Sequence, residues 1–286
     1  MRSFRDTAVL FIGLSLLAPA PLGAQVDLLA EGDFLASQGL SDEAVTSYLR
    51  YIFLHPGSAG ESSACHKIAR VYAGLNDAAN AFRWADLAIE KARGESERRD
   101  CVFARAELYL AFNRPDSALR EMEPLDALNL AVGERGRLWF LQGVAATYLG
   151  NWERAAARFR DYFALTAAYP PLVRERVLAL LEFASRSVPL SPAAAEVMSF
   201  ILPGSGQVYA GDLFQGLNSL AVTGGSAALV VWAIASGDYF DAAAAVYFVF
   251  ARFYTGGPWN AARIASERNA NRTRAIQRAV LDLLAR

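Results

Sequence analysis

The chain has 286 residues, 28 Lys and Arg against 29 Asp and Glu, a net charge of −1 and a hydrophobic content of 54%. That balance excludes the basic face a nucleic-acid binder carries, and the length admits two domains. With two histidines and two cysteines, no metal-ligand cluster, nucleophile–base pair or phosphate loop in context stands out. Neither an enzyme, a bound cofactor nor a small-molecule substrate is expected.

Residues 1–24 read as a secretory signal peptide. Arg2 and Arg5 give a basic start, blurred by Asp6, Thr7–Leu17 is a short apolar core, and Leu22-Gly23-Ala24 is a cleavage site before Gln25. The apolar run is short for a membrane span. An uncleaved anchor is the alternative.

Residues 26–170 repeat. A step of 37 residues connects Ala44, Ala81, Ala118 and Ala155, and the same step connects Gly32, Ala69, Ala106 and Gly143. It also connects Gly39, Asn76, Asn113 and Gly150. A fixed period of this kind marks a stacked array of helix pairs. The small columns let two antiparallel helices approach closely. The Gly/Asn column ends each first helix in the left-handed region. Asp42, Asp77, Asp116 and Asn151 stand near the start of each second helix, where a short polar side chain caps free N–H groups. Tyr48, Met122 and Phe159 form one filling column, and Tyr51, Leu125 and Tyr162 another. Ala85 and Ala88 are the small exceptions, for which Trp84 compensates.

These repeats resemble tetratricopeptide (TPR) repeats. The resemblance rests on Gly32, Gly39, Ala44, Tyr48 and Pro56 in the first, Ala69, Tyr72 and Ala81 in the second, and Ala106, Tyr109 and Ala118 in the third. Trp139, Gly143, Gly150, Ala155 and Phe159 carry it in the fourth. The period exceeds the family's usual ~34 residues, and Gln142 and Ala146 replace the larger residues expected there. The resemblance implies a concave groove lined from the first helices: Leu29 and Asp33, His66 and Arg70, Phe103 and Glu107, and Arg137, Phe140, Val144 and Thr147. Aromatic anchors mixed with charges suit an extended peptide or a partner helix. A rigid spacer is the competing reading.

Cys65 and Cys101 fall early in the first helices of adjacent repeats. A disulfide is allowed in an oxidising compartment, and two buried thiols packing as small apolar residues is the other reading. His55 precedes Pro56 in a turn and His66 falls in the groove register. Both are expected to face solvent.

Leu172–Val188 reads as an amphipathic helix capping the repeats through Leu178, Leu180, Leu181 and Phe183, and Pro189 and Pro192 mark a boundary. The expected domains are 25–188, the repeats, and 193–286, a membrane-associated segment. Gly216–Ala235 is apolar and long enough to cross a bilayer, and Ala242–Trp259 reads as a return span interrupted by Arg252. A buried hairpin in a globular core is the alternative. In a two-span hairpin Asp212 lies on the same side as Arg252, which predicts an ion pair.

Before the hairpin stands Leu202-Pro203-Gly204-Ser205-Gly206-Gln207-Val208-Tyr209-Ala210-Gly211-Asp212. This resembles the L-P-G-x-G-Q-x-Y-x-G signature of small, uncharacterised bacterial membrane domains. Phe253-Tyr254-Thr255-Gly256 and Asn260 match their closing segment loosely, with Pro258 a departure that interrupts the local helix. The resemblance implies a membrane domain and brings no activity. The Pro/Gly run reads equally as a re-entrant turn or as an ordinary loop leading into the hairpin.

The tail, 260–286, has six arginines against Glu267 and Asp282, with a stripe of Ile264, Ile276, Val280, Leu283 and Leu284. Such a helix lies on an anionic membrane or packs on a partner. Its charge favours the cytoplasm, whereas a signal peptide and two spans would place it outside. The expected protein is thus all-α: a TPR-like solenoid of about four helix pairs, a capping helix and a C-terminal transmembrane hairpin. The expected role is a cell-envelope scaffold, its repeats periplasmic, binding a protein or peptide partner and the lipid bilayer. The alternative is an accessory factor for membrane-protein insertion, export or transport, worked by the C-terminal domain.

Overall fold

The computed structural model describes residues 27–285, and every described element is helical. The signal-peptide expectation falls on residues outside that range. The chain divides into two compact units at Leu108/Tyr109. The first contains α1 (Leu28–Ser37), α2 (Ser41–Leu54), α3 (Gly60–Gly74), α4 (Ala78–Lys91) and most of α5 (Glu95–Ala111). The second contains α6 (Pro115–Met122), α7 (Val132–Tyr148), α8 (Trp152–Leu165), α9 (Pro171–Arg186), α10 (Pro192–Ile201) and α11 (Ser205–Tyr209). It continues with α12 (Leu213–Ala235), α13 (Tyr239–Ala245), a π-helical turn at Val246–Phe250, and α14 (Ala251–Leu284).

Consecutive helices pack as pairs, α1 with α2, α3 with α4 and α7 with α8, and the periodic columns explain why. Asn76 and Asn113 have φ of 58° and 54°, and Gly39 and Gly150 have 77° and 69°. All four therefore end their helices in the left-handed region, two of them without a glycine. Asp77 caps α4 by accepting from the Asn80 N–H, and Asn151 caps α8 by accepting from Arg154. Asp42 and Asp116 sit inside the first turns of α2 and α6, where a negative charge favours the helix dipole. A Cβ at Gly32 would run into the Tyr48 ring, and one at Gly143 would press on Phe159. Tyr48, Met122 and Phe159 are all buried to within 1%. Trp84 packs against the Ala85 and Ala88 clusters, filling the space those alanines leave.

Gln142 is fully buried, and its Nε2 donates to Asp126 Oδ2 (2.9 Å), which also pairs with Arg158 (3.2 Å). A polar cross-tie thus occupies the place of a large apolar residue. Ala146 belongs to one cluster with Phe159, Phe163, Val177, Leu181, Val280 and Leu284.

That cluster corrects the reading of the tail. The apolar stripe of α14 packs on the chain itself, not on a membrane surface: Val280 is fully buried against α8 and α9. Gln277 Nε2 donates to the carbonyls of Thr147 (3.2 Å) and Tyr148 (2.8 Å), and Tyr169 Oη donates to the Leu284 carbonyl (2.9 Å). The segment after residue 193 shares a compact unit with α7–α9. In α9, Val177, Leu181 and Ala184 face the core, while Phe183 is exposed beneath the Arg272 guanidinium at 5.6 Å.

The return span is also different. Only α12 is apolar and long enough to cross a membrane among the described residues. After Gly237 the chain runs through α13 and the π turn into α14, which continues through Pro258. No separate apolar helix spans Ala242–Trp259, so a clear hairpin is not formed.

Candidate functional site

Two regions gather the residues singled out from sequence. In the first unit a cavity of about 530 Å³ opens between α1, α2 and α3, lined by Asp33, Lys67, Arg70, Val71 and Leu75 among others. Lys67 Nζ donates to both Asp33 carboxylate oxygens (2.6 Å each), and Tyr48 Oη donates to Asp33 Oδ1 (2.8 Å). Burial alone would raise the Asp33 pKa, but these hydrogen bonds and the charges of Lys67 and Arg70 outweigh it and hold it below its usual value of 3.8. Burial, then the Asp33 bond, pushes the Tyr48 phenol up. A depressed carboxylate contributes stability above its unfolded pKa that is lost as pH falls through the folded one. Acid unfolding of the first unit should thus start below about pH 4, and Asp33→Asn should flatten that limb in a circular-dichroism titration.

Asp33 and Arg70 meet at this cavity, joined by Lys67, which the sequence reading missed: no local spacing links it to Asp33. His66 does not line the cavity. Phe103 is fully buried, a core residue in place of the expected exposed anchor, and Glu107 is exposed. In the second unit Arg137 is half-buried. Phe140 packs on Phe159 and Tyr162 at centroid distances of 6.0 and 5.2 Å, and Val144 joins the same core. The two aromatic side chains therefore support the fold, and the charged residues Asp33, Lys67 and Arg70 line the cavity of the first unit.

Cys65 and Cys101 are free, buried thiols in one cluster with Ala88. Burial first, then the Glu61 charge, pushes Cys65 up to about 11, and burial raises Cys101 as well. Neither should react with a thiol reagent at pH 8 in the folded protein, and both should react in denaturant. Labelling counted by mass spectrometry checks this. His55 ends α2, stacked on Tyr51 at 4.7 Å.

The second region is the Pro/Gly motif. It forms two tight reversals around the short helix α11. Gly204 has φ of 92° and Gly211 of 87°, both requiring glycine. A Cβ at Gly206 would strike the Ala195 carbonyl of α10. Gln207 is fully buried and ties three elements together: its Oε1 accepts from Ser199 Oγ (2.7 Å), and its Nε2 donates to the Gly257 carbonyl (2.9 Å). Ser199 Oγ in turn accepts from the Gly206 N–H (3.0 Å). Tyr209 Oη accepts from the Ser191 N–H (3.1 Å). Pro203 follows the end of α10 and closes the first reversal.

Asp212 caps α12, accepting from the Gln215 N–H (2.9 Å) and its Nε2 (3.0 Å). Asn260 Nδ2 donates to Gln215 Oε1 (2.7 Å). Among the described residues the predicted Asp212–Arg252 pair is not formed: Asp212 stands at the start of α12, whereas the Arg252 side chain lies farther along that helix. Arg252 instead lines a cavity of about 310 Å³ with Gln215, Asn218, Ser219, Thr223 and Asn260. On α12 these polar residues recur at helical spacing inside an otherwise apolar stretch, a stripe in the sequence that marks the cavity wall.

The helix beside this cavity, α12, has 23 residues and a mean hydropathy of 1.6 over its most apolar window, of which 17% is buried. Phe214, Leu217, Val231 and Trp232 are each more than half exposed, as are Phe240, Tyr247 and Phe248 beyond it. No family model matches the chain, and a search of curated proteins found no relative.

Proposed function

We propose that the chain is a membrane-anchored cell-envelope scaffold in which TPR-like helix pairs engage a protein or peptide partner. The observation that carries this reading is the exposure of α12. A helix this apolar in a globular core would be covered by its neighbours, whereas α12 leaves most of its apolar surface open. Its length, about 34 Å at 1.5 Å per residue, matches the hydrocarbon thickness of a bilayer. The partner-facing chemistry is the Asp33–Lys67–Arg70 cavity, which suits a peptide carrying charge beside an apolar side chain for Val71 and Leu75.

Single cysteines placed in the exposed turns of the repeats and in the exposed face of α14 test the orientation, with the buried native thiols left in place. An impermeant thiol reagent on intact cells should label both sites, because the segment from α13 into α14 runs back along α12 and the end of α14 packs on α9, on the repeats' side. Protection of the repeats until lysis would contradict an exported scaffold. The partner reading predicts that Arg70→Glu removes crosslinks formed from the α1–α3 cavity while the protein stays in the membrane fraction.

A second reading, an accessory factor for insertion, export or transport, is favoured by the polar cavity against α12, since a polar chamber beside an exposed apolar helix is an unusual feature for a passive anchor. It predicts that substitutions at Gln207 or Arg252 abolish function while partner capture is intact.

A further inference from the structure

We infer that the cavity between α12 and α14 binds a phosphodiester, supplied by an anionic lipid headgroup. The inference rests on the membrane reading of α12. Arg252 stands at the cavity wall, and among the described residues no Asp or Glu lines it. Arg252 is exposed, and among the described residues it makes no ion pair or hydrogen bond. Thr223, 4% exposed, also lines it, and its Oγ1 is buried without any hydrogen-bond partner. A buried hydroxyl left unpaired is costly unless a ligand or water completes it.

The remaining donors are arranged in three dimensions. Asn218, Ser219 and Thr223 come from α12, and Arg252 comes from α14 just past the π-helical turn. A π turn inside a helical run displaces the side chains that follow it and is frequent at functional sites. A carboxylate offers two coplanar oxygens. A phosphodiester offers two charged oxygens together with two ester oxygens out of their plane. It accepts a bidentate guanidinium while still reaching hydroxyl and amide donors. The volume suits a headgroup, at the lower end of small-molecule sites. Leu217 and Leu220 of α12 lie exposed at 56% and 45%, giving acyl chains an apolar surface next to the polar chamber.

The other polar groups of the cavity are committed. Gln207 Nε2 is held by the Gly257 carbonyl, Gln215 Nε2 by Asp212, and Asn260 Nδ2 by Gln215. They form a rigid rim, so binding reorganises few side chains.

The test uses the full chain in a neutral detergent, with thermal unfolding followed against dihexanoyl-phosphatidylglycerol, dihexanoyl-phosphatidylcholine and inorganic phosphate. Phosphatidylglycerol should raise Tm saturably and more than phosphatidylcholine does. Arg252→Gln should weaken the apparent affinity about tenfold, and Arg252→Lys, which keeps the charge without the fork, should fall between. Thr223→Val should raise the Tm of the ligand-free protein and diminish the phosphatidylglycerol shift. A shift by inorganic phosphate of equal size and equal Arg252 dependence would keep the phosphate chemistry and assign it to a soluble source. Unchanged responses in both Arg252 variants and in Thr223→Val would overturn the site. Flotation with pure phosphatidylcholine vesicles separates the two readings: wild type and Arg252→Gln should float alike. Failure of both to float defeats the membrane reading and leaves the phosphate titration to be judged alone.

Discussion

Replacing Gly206 with alanine should dismantle the packing of α10, α11 and α14. The added Cβ would fall inside the van der Waals shell of the Ala195 carbonyl and crowd Ser199 Oγ. The obstructing atom is backbone in the middle of α10, so no rotamer change relieves it. Opening the gap breaks the Gly206–Ser199–Gln207 chain of hydrogen bonds and releases Gln207 from the Gly257 carbonyl. A buried amide and hydroxyl then lose their partners together, and the loss should be about 3 kcal/mol or more. The control is Gly224→Ala on α12, where the added Cβ meets open space. That change should be neutral or stabilising by up to about 1 kcal/mol, because alanine is the better helix former. Thermal unfolding in detergent and protease resistance of the C-terminal helices measure both. Equal behaviour of the two variants would show that the motif is not a packed element.

Replacing Val280 with aspartate should have an effect of similar size for a different reason. Val280 is fully buried in the apolar cluster of Phe159, Phe163, Val177 and Leu181. An unpaired carboxylate placed there is protonated or expels the helix end, at a cost of about 4 kcal/mol or more. Undocking also exposes the Leu284 carbonyl held by Tyr169 and the two carbonyls held by Gln277. Ala275→Asp, on the exposed face of the same helix, should change stability by less than about 0.5 kcal/mol. If both variants unfolded as wild type does, the stripe of α14 would not be docked on α8 and α9.

Much of the helical array was legible in the sequence because it follows local rules. Left-handed conformations at Asn76 and Asn113, close approach at Gly32 and filling by Tyr48, Met122 and Phe159 all depend on residues a fixed number of positions apart. The tail was not, because an apolar stripe states that a face will be covered without stating by what. Its cover lies about a hundred residues or more earlier, in α7, α8 and α9. Pro258 reads as an interruption of its helix, yet α14 runs through it. The carbonyl preceding Pro258 is held by Gln207 Nε2, a contact no local pattern announces. Phe103 and Phe140 read as groove anchors by register alone, but Phe103 is fully buried and Phe140 half-buried against Phe159, because the first helix of a pair also faces its neighbours. The cavity was half legible: the polar stripe of α12 is in the sequence, while the approach of Arg252 to it depends on how α14 packs.

Alkaline carbonate extraction of cell membranes, followed by flotation of the full chain with vesicles, tests the central claim most directly. A protein anchored by α12 should stay in the carbonate-resistant pellet and float with vesicles. Leu220→Lys together with Val231→Lys, two charges on exposed positions of the apolar face, should release it to the supernatant at a cost of several kcal/mol to insertion. Release of the wild-type chain by carbonate, as a monodisperse protein that needs no detergent, would contradict the account.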